Sequence, residues 1–148
     1  MKRIQPRSTD DRRGAAMVEM AVVLPIFVTL VFGIVEFGQA FMVLQLVNNA
    51  AREGARIAIV NGSSNAEVTQ AVLDTLEEST KVDTSDVTIA ITVTPEPGNP
   101  DPGNQVGSAN KRDLCTISVS VPFSEVSLVT GNFLMTVPLR GQSSMRHE

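Results

Sequence analysis

The chain has 148 residues, a formal charge of −4 and 43% hydrophobic residues, which suits one small folded domain with appendages and excludes a disordered, solvating chain. The only cysteine, Cys115, excludes an intramolecular disulfide framework and a multi-cysteine zinc site, and the only histidine, His147, sits next to the last residue, where a frayed tail is expected and catalysis is not. An acidic chain without a basic patch also lacks the electrostatic footprint of nucleic-acid binding.

Charge is distributed unevenly along the chain. Residues 1–14 carry five basic side chains (Lys2, Arg3, Arg7, Arg12, Arg13) against Asp10 and Asp11, whereas the remainder is acidic. Behind this basic head come sixteen uncharged residues, Met20 to Val35, and only Glu19 separates them from an apolar start at Ala15. About 20 apolar residues at ~1.5 Å each cross a hydrocarbon core of about 30 Å. The basic head predicts a cytoplasmic N-terminus and an acidic body sent outward. Three readings compete with a membrane anchor. One is a buried helix of a soluble protein. The second is a secretory signal peptide ending near Gly38-Gln39-Ala40. The third, a twin-arginine signal at Arg12-Arg13, is weakened by the small residues that follow.

The helical pattern continues beyond the apolar run. Phe37, Phe41, Leu44, Val47 or Asn48, Ala51, Ala55 and Ala58 recur at three- and four-residue steps, while Gln45, Asn49, Arg52 and Arg56 form a separate polar stripe. Asn61-Gly62 provides a stop. One helix is therefore predicted over about residues 15–60, roughly 70 Å at ~1.5 Å per residue, with Pro25 and Gly33 bending it in the membrane. A carboxylate at Glu19 is costly near a membrane span, and snorkelling to the interface is its plainest explanation. Glu36 is read in the same way, as the point where the helix leaves the lipid. Glu53 and Arg56 form an ordinary surface pair in one reading. In the other, Glu36, Arg52, Glu53, Gly54 and Arg56 contact the outer domain or another subunit, and Gly54 permits close backbone approach.

Gly14 directly precedes Ala15, and Glu19 is the fifth residue after it. This arrangement resembles a type IV prepilin. The fuller pattern narrows the resemblance: RRGAAMVEMAVVLPIFVTLVFGIVEFG, with its embedded Pro25 and a second acidic residue at Glu36, is followed by the Ala51-Arg52-Glu53-Gly54-Ala55-Arg56 segment. Over about residues 12–60 the chain is similar to the TadE family, pseudopilin-like components of the Tad (tight adherence) pilus. The resemblance implies a prepilin peptidase that cuts between Gly14 and Ala15. It also implies that the carboxylate of Glu19 serves subunit assembly, pairing with the freed Ala15 amine of a neighbour; pairing is what makes two buried charges bearable. Glu19 is followed by Met20, where the major Tad pilin usually has tyrosine, and this points to an accessory or minor subunit.

The remaining sequence predicts an α+β head. Ser64 and Glu67 form a capping box for a helix over about 65–79, whose apolar face is Val68, Val72 and Leu76. Strict alternation predicts strands at 87–93, at 115–121 with Cys115, Ile117, Val119 and Val121 inward, and at 133–140 with Phe133, Met135, Val137 and Leu139 inward. Pro138 indicates an edge strand. Residues 95–110, with four prolines and three glycines, are read as a long exposed loop, and 95–112 as a flexible connection. Asp101 and Asp113 match no calcium-loop spacing. Cys115 is expected to be a core residue, because no histidine partner is at hand.

Together these readings predict a leader (1–14), a transmembrane and extended amphipathic helix (15–60) and a pilin-like head (61–148) with one helix and a three-stranded antiparallel sheet. The expected protein is a non-enzymatic, single-pass subunit of the bacterial inner membrane with an extracytoplasmic head. Its partners would be the membrane, the prepilin peptidase and other pilin-like subunits. No metal, cofactor or small-molecule substrate is expected. The rival account is an exported ligand-binding or adhesive domain whose first 40 residues are a signal peptide.

Overall fold

The computed structural model describes residues 9–79, 86–123 and 138–148. It contains α1 (Thr9–Ala58), α2 (Asn65–Ser79), β1 (Thr88–Thr94), a 3-10 turn at Val106–Ser108, β2 (Leu114–Pro122) and β3 (Pro138–Arg146). The chain divides into two compact units, Met1–Phe37 and Gly38–Glu148. The fold is α+β with a long N-terminal helix, as predicted. α1 begins inside the basic head at Thr9 and stops at Ala58, two residues before the expected end. Ser63 Oγ donates to Ile57 O at 2.8 Å, and Gly62 takes φ +88°, so the chain turns out of the helix there.

In the first unit every large apolar side chain from Met17 to Val35 is exposed. α1 passes through Pro25, whose carbonyl accepts from Thr29 Oγ1 at 2.8 Å.

The second unit is the head. Its sheet has the order β1-β2-β3, and both pairings are antiparallel. The register aligns Ile89 with Val119 and Gly141, and Ile91 with Ile117 and Ser143. Along β2 the odd residues Cys115, Ile117, Val119 and Val121 are fully buried and the even ones half-buried, which is the period-2 pattern read from the sequence. β3 is an edge strand with Pro138 as its first residue, where a missing donor costs no ladder bond. Its extent differs from the sequence reading. Residues 133–137 lie outside the described residues, and the strand continues past Arg140 to Arg146. Alternation of large apolar residues ceases at Leu139, so the Gly141-Gln142-Ser143-Ser144 stretch gives no hydrophobic signal although it pairs fully with β2.

The capping box of α2 forms as expected: Glu67 N donates to Ser64 Oγ at 3.3 Å, and Ser64 N donates to Glu67 Oε2 at 2.8 Å. Val68, Val72 and Leu76 are buried. The inward face of α1 needs correction. Phe37 and Phe41 are 55% and 65% exposed, and the buried stripe is Val43, Val47, Ala50, Ala51, Gly54, Ala55 and Ala58. The reason is steric. A Cβ on Gly141 of β3 would lie 2.8 Å from the α1 backbone at Val47 and Asn48, and a Cβ on Gly54 would lie 2.6 Å from Val72 Cγ2 and 3.4 Å from Ile117 Cγ2. α1 thus rests on the sheet at backbone contact, and only small side chains fit beneath it. Each fully buried valine around this contact contributes about 1.5–3 kcal/mol, more than the ~1 kcal/mol that a mid-helix glycine such as Gly54 costs.

The two glycines should respond differently to alanine. Gly141→Ala drives a methyl into helix backbone that cannot step aside, and the expected loss is about 1–3 kcal/mol. Gly54→Ala meets side-chain methyls instead of backbone, Val72 Cγ2 the nearest, and regains ~1 kcal/mol of helix propensity, so its net effect should be the smaller. Denaturant unfolding of the two variants checks this order; equal losses would contradict it.

Candidate functional site

The residues around the expected processing point lie on the first turns of α1. Arg13, Gly14, Ala15 and Glu19 are all helical and exposed. Among the described residues a Cβ added at Gly14 meets nothing within 4 Å, so none of them requires glycine there. Glu19 is a charged group on a helix whose surrounding residues, Met17, Val18, Met20, Val22 and Val23, are all exposed and apolar. Among the described residues α1 is the one helix long and apolar enough to cross a membrane, and none of its apolar window is buried. Glu36 differs from these neighbours in being only 4% exposed.

The five residues with possible contact roles are divided by the fold. Gly54 is buried between α1, α2 and β2, whereas Arg52 and Arg56 are exposed and Glu53 is half-exposed. Glu53 and Arg56 approach to 3.9 Å, a loose surface pair worth little. The polar stripe Gln45, Asn49, Arg52 and Arg56 is exposed along its length. The structure therefore does not bring Arg52 or Arg56 onto the chain's own core.

A second polar group was not legible in the sequence. Asp113, fully buried, anchors the 95–112 segment: Oδ1 accepts from Glu96 N at 2.9 Å and Asn99 Nδ2 at 2.6 Å, and Oδ2 accepts from Asn110 N at 2.7 Å. Burial opposes its ionisation. The bonds from Asn99, Glu96 and Asn110 and the nearby His147 outweigh that and hold the carboxyl below its usual range. His147 does not sit in a frayed tail. Its N donates to Asp113 O at 2.8 Å and its O accepts from Arg112 N at 2.9 Å, extending the β2–β3 pairing, and the side chain is buried with no hydrogen-bond partner for Nδ1 among the described residues. Burial, followed by the charge of Asp113, pushes the Cys115 thiol up, and Sγ contacts Ala58 O at 3.8 Å. A protonated buried thiol is a core residue and a poor nucleophile.

The 95–112 segment is not the wholly exposed loop that its proline and glycine content predicts, since Pro102 and Val106 are buried. Asn65, the first residue of α2, accepts from Val106 N at 2.8 Å and donates to Asn104 O at 2.9 Å. Asn104, at φ 60°, accepts from Val93 N at 3.0 Å on the outer edge of β1. The proline and glycine content hid this order. The usable signal was the number of asparagines and aspartates, whose side chains bond local backbone.

The apolar helix, the glycine before Ala15 and the glutamate five residues on are the features that comparison with known families tests. Residues 14–56 match the model of the TadE-like protein family. The TadE-like segment starts at Gly14 and ends at Arg56, so it contains the apolar helix and the Arg52–Arg56 stripe and stops short of α2 and the sheet. It supports a Tad-pilus-associated subunit in general. No curated protein and no solved structure matches the chain.

Asp113→Ala leaves buried donors without an acceptor and should cost about 1–3 kcal/mol or more. Because folding lowers the Asp113 pKa, its contribution is complete above the unfolded value of about 3.9 and is lost as pH falls through the folded value. Thermal unfolding followed from pH 7 down to pH 2 should show the loss below about pH 4. Asp113→Asn, already uncharged, should be less stable at pH 7 and flatter in acid; a wild-type acid slope in that variant would exclude Asp113 as the source.

Proposed function

We propose that this chain is a minor pseudopilin or assembly subunit of a Tad pilus, held in the inner membrane by α1 with residues 1–14 in the cytoplasm and the head outside. The observation that carries this reading is the apolar run in the first part of α1, none of whose apolar window is buried, with the carboxylate of Glu19 set five residues after Gly14. Sixteen uncharged residues exposed on all sides need either lipid or other apolar helices around them. A carboxylate in that setting needs a cationic partner.

A prepilin peptidase would cut the Gly14–Ala15 bond. The new α-amine, with a reference pKa of about 8, is cationic at neutral pH. In a bundle of pilin-like helices it would meet Glu19 of a neighbour, and the two charges would neutralise each other where neither can be hydrated. The bond lies in the first turns of a helix, and glycine there lowers helix propensity by ~1 kcal/mol, which eases local opening for the peptidase. No residue of the chain is assigned a catalytic role. The departure from tyrosine at Met20 supports a minor rather than a major subunit.

Processing and assembly should separate by mutation. Gly14→Val is expected to fold and insert normally, because no described residue crowds that position, yet to remain a full-length precursor. Glu19→Gln should be inserted and cut, yet lose crosslinking to other pilin-like subunits. Gel mobility, N-terminal sequencing and crosslinking in membranes measure both. A Gly14→Val chain that still starts at Ala15 overturns the processing step. A Glu19→Gln chain that crosslinks like the wild type removes the assembly role.

A further inference from the structure

The head carries two exposed charged surfaces of opposite sign on its two helices. On α1, Arg52 and Arg56 stand one turn apart and outward; Arg52 makes no ion pair among the described residues, and Arg56 has only the 3.9 Å approach of Glu53. On α2, Asp74, Glu77 and Glu78 are all exposed in the second half of the helix. Asp74 accepts a hydrogen bond from Gln70 at 2.7 Å, and none of the three has a cationic partner among the described residues.

The acidic surface is poorly placed for its own helix. Glu77 and Glu78 occupy the last turn of α2, the negative end of the helix dipole, and that turn contains no basic residue. Acidic groups there raise the electrostatic energy of the helix end, and a cation placed against them lowers it. The spacing suits such a cation source. Arg52 and Arg56 are four residues apart, as are Asp74 and Glu78, so both pairs span ~6 Å along a helix axis. A second α2 laid along the α1 stripe can meet both arginines at once, with Gln45 and Asn49 extending the polar contact.

We propose that the Arg52–Arg56 stripe of α1 is a docking surface for the Asp74, Glu77 and Glu78 end of α2 on a second copy of this chain. Because the two surfaces differ and lie on one head, the contact is heterologous and each copy leaves one surface free for the next. All five residues fall within Gly38–Glu148. The inference goes beyond the pilus reading and does not rest on it, since it needs neither cleavage at Gly14 nor the charge of Glu19.

The test uses the full chain in detergent micelles, with self-association followed by sedimentation velocity and by capture between differently tagged copies. The wild type should associate, and raising the salt from ~0.05 to ~0.5 M should weaken the contact about tenfold, as screening of surface charges requires. Association through the apolar helices would be insensitive to salt. Arg52→Glu/Arg56→Glu and, separately, Asp74→Lys/Glu77→Lys/Glu78→Lys should each weaken self-association by about tenfold or more. An equimolar mixture of the two should restore capture to within about threefold of the wild type, because the untouched acidic end of one variant then meets the untouched arginine stripe of the other and the reversed stripe meets the reversed ridge, whereas each variant alone presents only like charges to itself. The neutral variants Arg52→Gln/Arg56→Gln and Glu77→Gln/Glu78→Gln should show the same loss if a reversed chain fails to fold. Association that ignores salt, a variant that associates like the wild type, or a mixture that fails to restore capture would overturn the proposal, the last because the stripe would then have an occupant other than α2.

Discussion

The head depends on how closely α1 can approach the sheet. At Gly141 the helix backbone lies where a side chain would stand, and at Gly54 the helix surface is open enough to admit Val72 of α2 and Ile117 of β2. Backbone contact of this kind leaves no room for aromatic or long aliphatic side chains beneath the helix. That explains why the buried stripe of α1 is mostly alanine, glycine and valine, and why Phe37 and Phe41 stay out of it. A helix buried through such small residues gains little area per residue. The larger contributions come from its partners, where Ile117, Val119, Val121, Val68, Val72 and Leu76 close the core.

Much of this was legible in the sequence because the periods are clean. α2 is bounded by its capping box and carries a single apolar stripe, so both its limits and its buried face follow from residues 64–79. β2 alternates without interruption, so its inward residues follow as well. Where the alternation stops at Leu139, the second half of β3 became unreadable, since Gly141 is inward for steric reasons and the serines and Gln142 around it carry no hydrophobic contrast. The face of α1 was misjudged because hydrophobicity favoured the phenylalanines, whereas packing favoured the smallest residues. Asp113 and His147 were missed for a related reason. A buried carboxylate bonded by loop backbone has no periodic signature, and a terminal histidine reads as tail until its backbone is seen to extend a strand pair.

The candidate site shows the complementary situation. Gly14, Ala15, Glu19 and the apolar run carry their meaning in order and spacing, which the sequence displays in full, and the TadE-like match covers that same stretch. The fold adds that Gly14 and Glu19 are both exposed and pack on no core among the described residues. A charge beside an exposed apolar run and a glycine that no described residue crowds are costs without a compensation among the described residues. In the proposed account both are resolved by partners outside the chain, the glycine by a peptidase and the carboxylate by a neighbouring amine.

The central claim is that the leader is removed at Gly14 and the apolar helix is kept. The N-terminal sequence of the mature protein, isolated from the membranes of the cell that makes it, tests this directly. The account predicts a chain beginning Ala15-Ala16-Met17-Val18-Glu19. A mature chain beginning at Phe41 would mean that the apolar helix is a discarded signal, and an intact N-terminus at Met1 would mean an uncleaved anchor; either result contradicts the account.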